Sequence, residues 1–198
     1  VDVYDITADV SALSSKNYQF AARGNKGTLT VGKATLTVAA NNETREYGTA
    51  NPTFSPVYNG FRNGEDISKI NKTGDPAFST DATITSDVDV YDITADVSAL
   101  SSKNYQFAAR GNKGTLTVGK ATLTVAANNE TREYGTANPT FSPVYNGFRN
   151  GEDISKINKT GDPAFSTDAT ITSDVDVYDI TADVSALSSK NYQFAARG

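Results

Sequence analysis

The stretch GTLTVGKATLTVAA, residues 27–40, decides how this chain divides. It alternates apolar and polar residues, as a strand with one buried face does. The parity then changes midway. Leu29 and Val31 occupy odd positions, whereas Leu36, Val38 and Ala40 occupy even ones. Successive side chains of a strand point to opposite faces, so one unbroken strand cannot send both sets into one core without a bulge. The simplest reading is two strands of two domains, meeting at Gly32-Lys33 with almost no linker.

The rest of the chain repeats this pattern. VDVYDITADVSALSSKNYQFAARG occupies 1–24, 88–111 and 175–198. The intervening 63 residues recur without a substitution at 25–87 and 112–174, so the period is 87 residues. That is the length of a self-sufficient domain, whereas solenoid repeats of a few tens of residues need their neighbours to bury a core. With the seam at Gly32-Lys33 and again at Gly119-Lys120, residues 1–31 are the end of one domain. Residues 32–118 are a complete domain, and 119–198 are a second that lacks its last strand. Val1 falls mid-strand, so the chain is expected to be a window on a longer array, or one whose neighbours complete each other's sheets.

Composition removes several functions. The 198 residues contain no Cys, His, Met or Trp. No disulfide forms, and neither Ser-His, Cys-His nor zinc chemistry is available. The net charge is −5, from 18 basic and 23 acidic residues, with the basic ones scattered singly. That argues against a nucleic-acid partner, which needs clustered Lys and Arg. No apolar run is long enough for a membrane span.

Within one repeat the pattern is all-β. Strands are expected at 34–40, 82–87, 90–97, 104–109 and 114–118. A broken strand is expected over 52–61, where Pro52 and Pro56 cannot donate to a ladder. Residues 41–52 read as turn. NGFRNGED, 59–66, carries two Asn-Gly pairs, a strong turn signal. DVSALSSKN, 96–104, has room for one helical turn. About seven strands per repeat predict immunoglobulin-like antiparallel sandwiches set end to end. Asp87, four residues before Tyr91, fits a tyrosine corner, in which the phenol bonds the backbone upstream; an ordinary buried Tyr is the equal alternative.

The motifs KATLTVAA (33–40), YGTANPTF (47–54), YNGFRNGED (58–66), YDIT (91–94), NYQF (104–107) and GTLTV (114–118) together resemble the bacterial MBG domain of YGX type. The likeness runs through the whole period. It departs at Asp89, where the family tends to have Gly. The resemblance implies tandem domains of large surface adhesins, extracellular or wall-attached, with no catalytic residues. On the residues themselves, Gly48 permits positive φ, Pro52 fixes the chain after Asn51, and Phe54, Tyr58 and Phe61 are expected in the core.

Few residues suggest chemistry. Asp87, Asp89, Asp92 and Asp96 form an acidic string. A hard cation at a domain junction is one reading of it; a solvated face that resists edge aggregation is the other and preferred one. Asn42 and Asn71 sit in glycan-acceptor triplets that arise readily by chance. Lys33 and Lys120 are candidates for an internal isopeptide bond by position alone. No catalytic, metal or cofactor residue is assigned, and no cofactor is expected.

The function expected is a non-catalytic stalk or filament shaft on the cell surface. Its partners are neighbouring identical repeats, end to end, with lateral or strand-exchange contacts between copies as a further route to a fibre. Strands of eight to ten residues at about 3.3 Å each, with end loops, give roughly 35–40 Å per domain. The rival is a tandem weak binding module for host glycan or protein that acts by avidity, with Tyr58, Phe61 and Arg62 as its surface. Nucleic acid and membrane insertion are excluded as partners.

Overall fold

The computed structural model describes residues 2–24, 26–111 and 113–197; Val1, Asn25, Asn112 and Gly198 lie outside the described residues. Among them every regular element is a strand, and the fold is all-β, of β-sandwich type. The chain forms two compact units. One is Val1–Ala40, Ser55–Ser79 and Thr94–Lys113; the other is Asn41–Phe54, Thr80–Ile93 and Gly114–Gly198.

In the first unit β1 (Asp2–Ile6) and β2 (Gly27–Val31) form an antiparallel pair whose ten residues are all exposed. β3 (Ala34–Ala40) is the centre of a three-stranded sheet. The segment Glu43–Glu46, β4, belongs to the second unit. β5 (Pro56–Asn59) flanks β3 antiparallel, and β8 (Tyr105–Ala109) flanks it parallel. β6 (Ala77–Ser79) pairs with the Thr94–Asp96 end of β7 (Asp89–Asp96). Leu36, Ile70 and Tyr105 form a buried cluster, with Phe61, Ile67 and Phe107 packed against it.

In the second unit β9 (Gly114–Gly119) lies between β4, parallel to it, and Asp89–Ile93 of β7, antiparallel to it. β10 (Ala121–Ala127) is flanked by β11 (Pro143–Asn146), antiparallel, and β14 (Tyr192–Ala196), parallel. β12 (Ala164–Ser166) pairs with β13 (Thr181–Asp183).

The parity change is visible in the burial. Gly114, Leu116 and Val118 are buried in β9, and Ala121, Leu123 and Val125 in β10. Even positions give way to odd ones across Gly119-Lys120. Val118 and Leu123 nevertheless meet in one hydrophobic cluster with Tyr47, Ala121, Ile157 and Tyr192. The strands change face and still contribute to a shared interior there.

Among the described residues between 34 and 119 the repeat has seven strands, against the roughly seven that the alternation predicts. The expected antiparallel pairing is joined by three parallel ladders. Parallel neighbours need long connections, and here they come from segments some seventy residues apart, whose pairing no local turn signal announces. ATITSD, 82–87, is not a strand. The Ser86 N–H donates to the Thr83 carbonyl at 3.0 Å and the Thr83 N–H to Ser86 Oγ at 2.8 Å, so hydroxyl chemistry closes a turn where branched residues suggested extension. Only Pro56–Asn59 of 52–61 is a strand. Conversely, Glu43–Glu46, read as turn, is a strand because β9 supplies its partner. Residues 97–100 make a turn closed by the Leu100 N–H on the Val97 carbonyl at 3.0 Å, with no helix. Tyr91 donates its hydroxyl to the Asp87 carbonyl at 2.9 Å, which is the tyrosine corner.

Candidate functional site at the junction of the repeats

The second unit holds the place where residues of one 87-residue copy meet those of the next. Its first element is a clamp around Arg45, 8% exposed. Arg45 Nε donates to Asn51 Oδ1 at 2.7 Å, Nη1 to the Glu46 carbonyl at 3.1 Å and Nη2 to the Thr83 carbonyl at 2.5 Å. Asn51 Nδ2 donates in turn to the Ala82 carbonyl at 2.7 Å. A planar guanidinium with donors in a fixed fork suits such a clamp, since it satisfies three acceptors without flexing. It fixes the tight turn at Glu46–Thr49, in which Thr49 bonds the Glu46 carbonyl through both its N–H and its hydroxyl.

That turn presents Tyr47 and Gly48 to the following copy. The Tyr47 N–H donates to the Gly119 carbonyl at 2.8 Å. Its ring, 3% exposed, meets the edge of Tyr192 at 5.5 Å between centroids and 77° between planes. Phe148 also meets Tyr192 edge-on, at 6.3 Å between centroids and 73° between planes. Both tyrosine hydroxyls donate to one carboxylate, Tyr47 to Glu152 Oε1 at 2.8 Å and Tyr192 to Glu152 Oε2 at 2.5 Å. The Arg149 backbone N–H donates to the Tyr192 hydroxyl at 2.9 Å. Burial first, then the bond to Glu152, pushes the Tyr192 phenol up to about 12, and the same two causes raise Tyr47.

Gly48 has φ +76°, and a Cβ there would lie 2.3 Å from Arg149 Cβ. Glycine is thus required twice, for backbone conformation and for close approach. Arg149 also pairs with Glu46 at 3.3 Å.

Asp87 makes the second contact. Lys190 Nζ donates to Asp87 Oδ2 at 2.5 Å and Asn191 Nδ2 to Oδ1 at 2.7 Å. Asn191 Oδ1 accepts the Val88 N–H at 2.9 Å. The Lys190 bond first, then that of Asn191, holds the Asp87 carboxyl below its usual range, and Lys190 is raised by the same partner.

The residues singled out in the sequence are used differently. Asp87 faces Lys190 and Asn191, Asp89 accepts its neighbour's Val90 N–H, and Asp96 accepts the Ser98 N–H. Among the described residues no three carboxylates are grouped to hold one ion. Lys33 and Lys120 donate to the Ser102 and Ser189 carbonyls at 2.8 and 2.7 Å, tethering strand starts to the loop before β8 and β14. Asn42 Oδ1 accepts the Thr115 N–H at 3.0 Å. Phe61 packs edge-on to Tyr105 at 6.3 Å and Tyr58 to Phe107 at 6.5 Å. Phe54 is half-buried, and Arg62 is exposed. Tyr47, Glu152 and Tyr192 were not foreseen. The Tyr-Gly pair carries a conformational signal, but nothing in it names a partner about a hundred residues away.

No helix among the described residues is long and apolar enough to cross a membrane. A family model described as the MBG domain (YGX type) matches residues 36–117 and 123–198. No curated protein and no solved structure matches the chain.

Proposed function

The chain belongs to the MBG domain (YGX type) family, present as two tandem copies, and from that premise we propose that it is a non-catalytic structural repeat of an extracellular bacterial protein, forming an adhesin stalk or a filament shaft. The observation that carries this reading is the lock of Tyr47 and Gly48 onto Arg149, Glu152 and Tyr192 of the following copy. A flexible tether between copies would be rich in Gly and Ser and free of such contacts. Here the copies share buried aromatic rings, a carboxylate and a hydrophobic cluster across the junction. A joint of this kind resists bending, which is what a stalk needs.

The rival, a receptor acting by avidity, needs an aromatic or apolar patch exposed on every copy. Tyr58 and Phe61 pack against Phe107 and Tyr105 instead, and Arg149, the second-copy equivalent of Arg62, pairs with Glu46. These placements favour the stalk.

The test is electron microscopy and small-angle scattering of a soluble array of several copies. Straight particles with an even axial repeat are expected, and Gly48→Val at every junction should bend them while each copy still melts cooperatively. A wild-type array that scatters as a flexible coil would remove the stalk reading.

A further inference from the structure

Tension applied along a chain pulls the earlier of two paired strands by its N-terminal end and the later by its C-terminal end. In an antiparallel pair those two ends lie side by side, so the load peels the residue pairs apart one after another. In a parallel pair they lie at opposite ends of the ladder. The load then runs along the strands, and every residue pair must give way together.

The parallel ladders of this chain are β3–β8, β4–β9 and β10–β14, each joining segments some seventy residues apart. From residue 34 onward, the antiparallel ladders among the described residues lie inside those spans. β3–β5 and β6–β7 fall within 34–109, β7–β9 within 43–119, and β10–β11 and β12–β13 within 121–196. While a parallel ladder holds, tension crosses it and bypasses the weaker pairs enclosed.

Two of these ladders are also pinned beyond their five registered pairs, in the same way in both copies. At one end of β3–β8 the Ala34 N–H donates to the Asn104 carbonyl at 2.9 Å and Lys33 Nζ to the Ser102 carbonyl at 2.8 Å. At the other end the Arg110 N–H donates to the Val38 carbonyl at 2.7 Å. In β10–β14 the counterparts are Ala121 on Asn191, Lys120 on Ser189 and Arg197 on Val125, at 3.0, 2.7 and 2.8 Å. Leu36 and Leu123, central in the first strand of each pair, are fully buried, so water does not reach the bonds that carry the load.

We propose that the chain is a load-bearing tether, and that its parallel ladders are tensile clamps that work in shear and shield the antiparallel pairs within their spans. The stalk reading supplies only the source of the tension.

The experiment is single-molecule stretching of the full 198-residue chain between two handles. The chain has no Cys, so introduced cysteines take the handles specifically. Gly32→Cys with Gly111→Cys grips opposite ends of β3–β8, whereas Gly32→Cys with Lys103→Cys grips the same end. Nothing lies within 4 Å of a Cβ at Gly32 or Gly111, and Lys103 and its ion pair with Asp2 are exposed, so both variants should melt like the unaltered chain. At one pulling speed the opposite-end variant should yield in a single step, at a force at least about twofold that of the same-end variant, because forced unfolding is set by the barrier along the pulled direction. Equal forces in the two directions, or opposite-end rupture in several small steps, overturn the clamp. That failure is separable from failure of the stalk. An array of copies that scatters as a flexible coil but shows the directional contrast keeps the clamp, and a straight array without the contrast overturns it.

Discussion

GTLTV occurs at 27–31 and at 114–118, and the two stretches teach opposite lessons from the same five residues. Leu116 is fully buried and Leu29 is 53% exposed; Ile93 is buried and Ile6, at the same place in its copy, is 52% exposed. Tyr47 is 3% exposed and Tyr134 64%. Propensity and alternation are equal in each pair, so neither explains the difference. What differs is the neighbour. Among the described residues β9 pairs with β4 on one side and β7 on the other, whereas β2 pairs with β1 alone. Tyr47 has Tyr192 against it, and Gly135, beside Tyr134, has nothing within 4 Å of where its Cβ would be. In this chain burial belongs to the junction rather than to the segment.

The sharpest way to break the comparison is to truncate both leucines. Leu116→Ala leaves a cavity in a packed interior and should cost about 2–5 kcal/mol in denaturant unfolding. Leu29→Ala removes exposed atoms and should stay within about 0.5 kcal/mol. Equal losses would mean that the β1–β2 hairpin is as well buried in solution as β9.

Gly48 and Gly135 sharpen the same point at the turn. Both have positive φ, +76° and +80°. Gly135→Ala meets no atom, so it should show only the cost of a left-handed side chain, about 1–2 kcal/mol. Gly48→Ala also drives a methyl into Arg149 Cβ and should cost about 1–3 kcal/mol more by overpacking. If the two variants melt alike, the Tyr47 turn does not dock.

Much of this was legible in advance, and the reasons are local. ATLTVAA at 34–40 reads as a strand by its own alternation and forms one with those bounds, as does its copy at 121–127. Asp87 and Tyr91 lie four residues apart, so the corner was readable. The rest depends on distant partners. ETRE is a strand where β9 pairs with it and irregular at 130–133, so no local rule assigns it. The parity change at Gly119-Lys120 was visible, but that Val118 and Leu123 pack into one cluster depends on how the chain turns between them.

The pH dependence gives a smaller effect. Tyr192 is raised from about 10 to about 12 by burial and by Glu152, so the folded state favours its neutral form. The stability this lends is complete below the unfolded value near 10 and is lost as the pH rises towards 12. Ultraviolet titration of the phenols should therefore show a late-ionising tyrosine that disappears in Tyr192→Phe. If that late step survives the substitution unchanged, it does not belong to Tyr192.

The smallest effect is expected at Asp87 and its counterpart Asp174. Asp87 holds Lys190 and Asn191 across the junction, but its side chain is 48% exposed and that of Lys190 64%. An exposed pair of this kind is screened by solvent and salt, so Asp87→Asn should cost no more than about 1 kcal/mol. Because its folded pKa is depressed, that stability is present above the unfolded value near 3.8 and fades as the pH falls below it. Asp174 has the same sequence around it and accepts the Tyr178 hydroxyl on its carbonyl, and among the described residues no ion pair holds its carboxylate. Asp174→Asn should therefore change stability by less than about 0.5 kcal/mol at any salt concentration. A loss at Asp87 that grows as salt is lowered, beside a flat response at Asp174, would put the charge pair at the junction. Matching responses would make it a property of each repeat by itself, indifferent to whether another copy is docked against it.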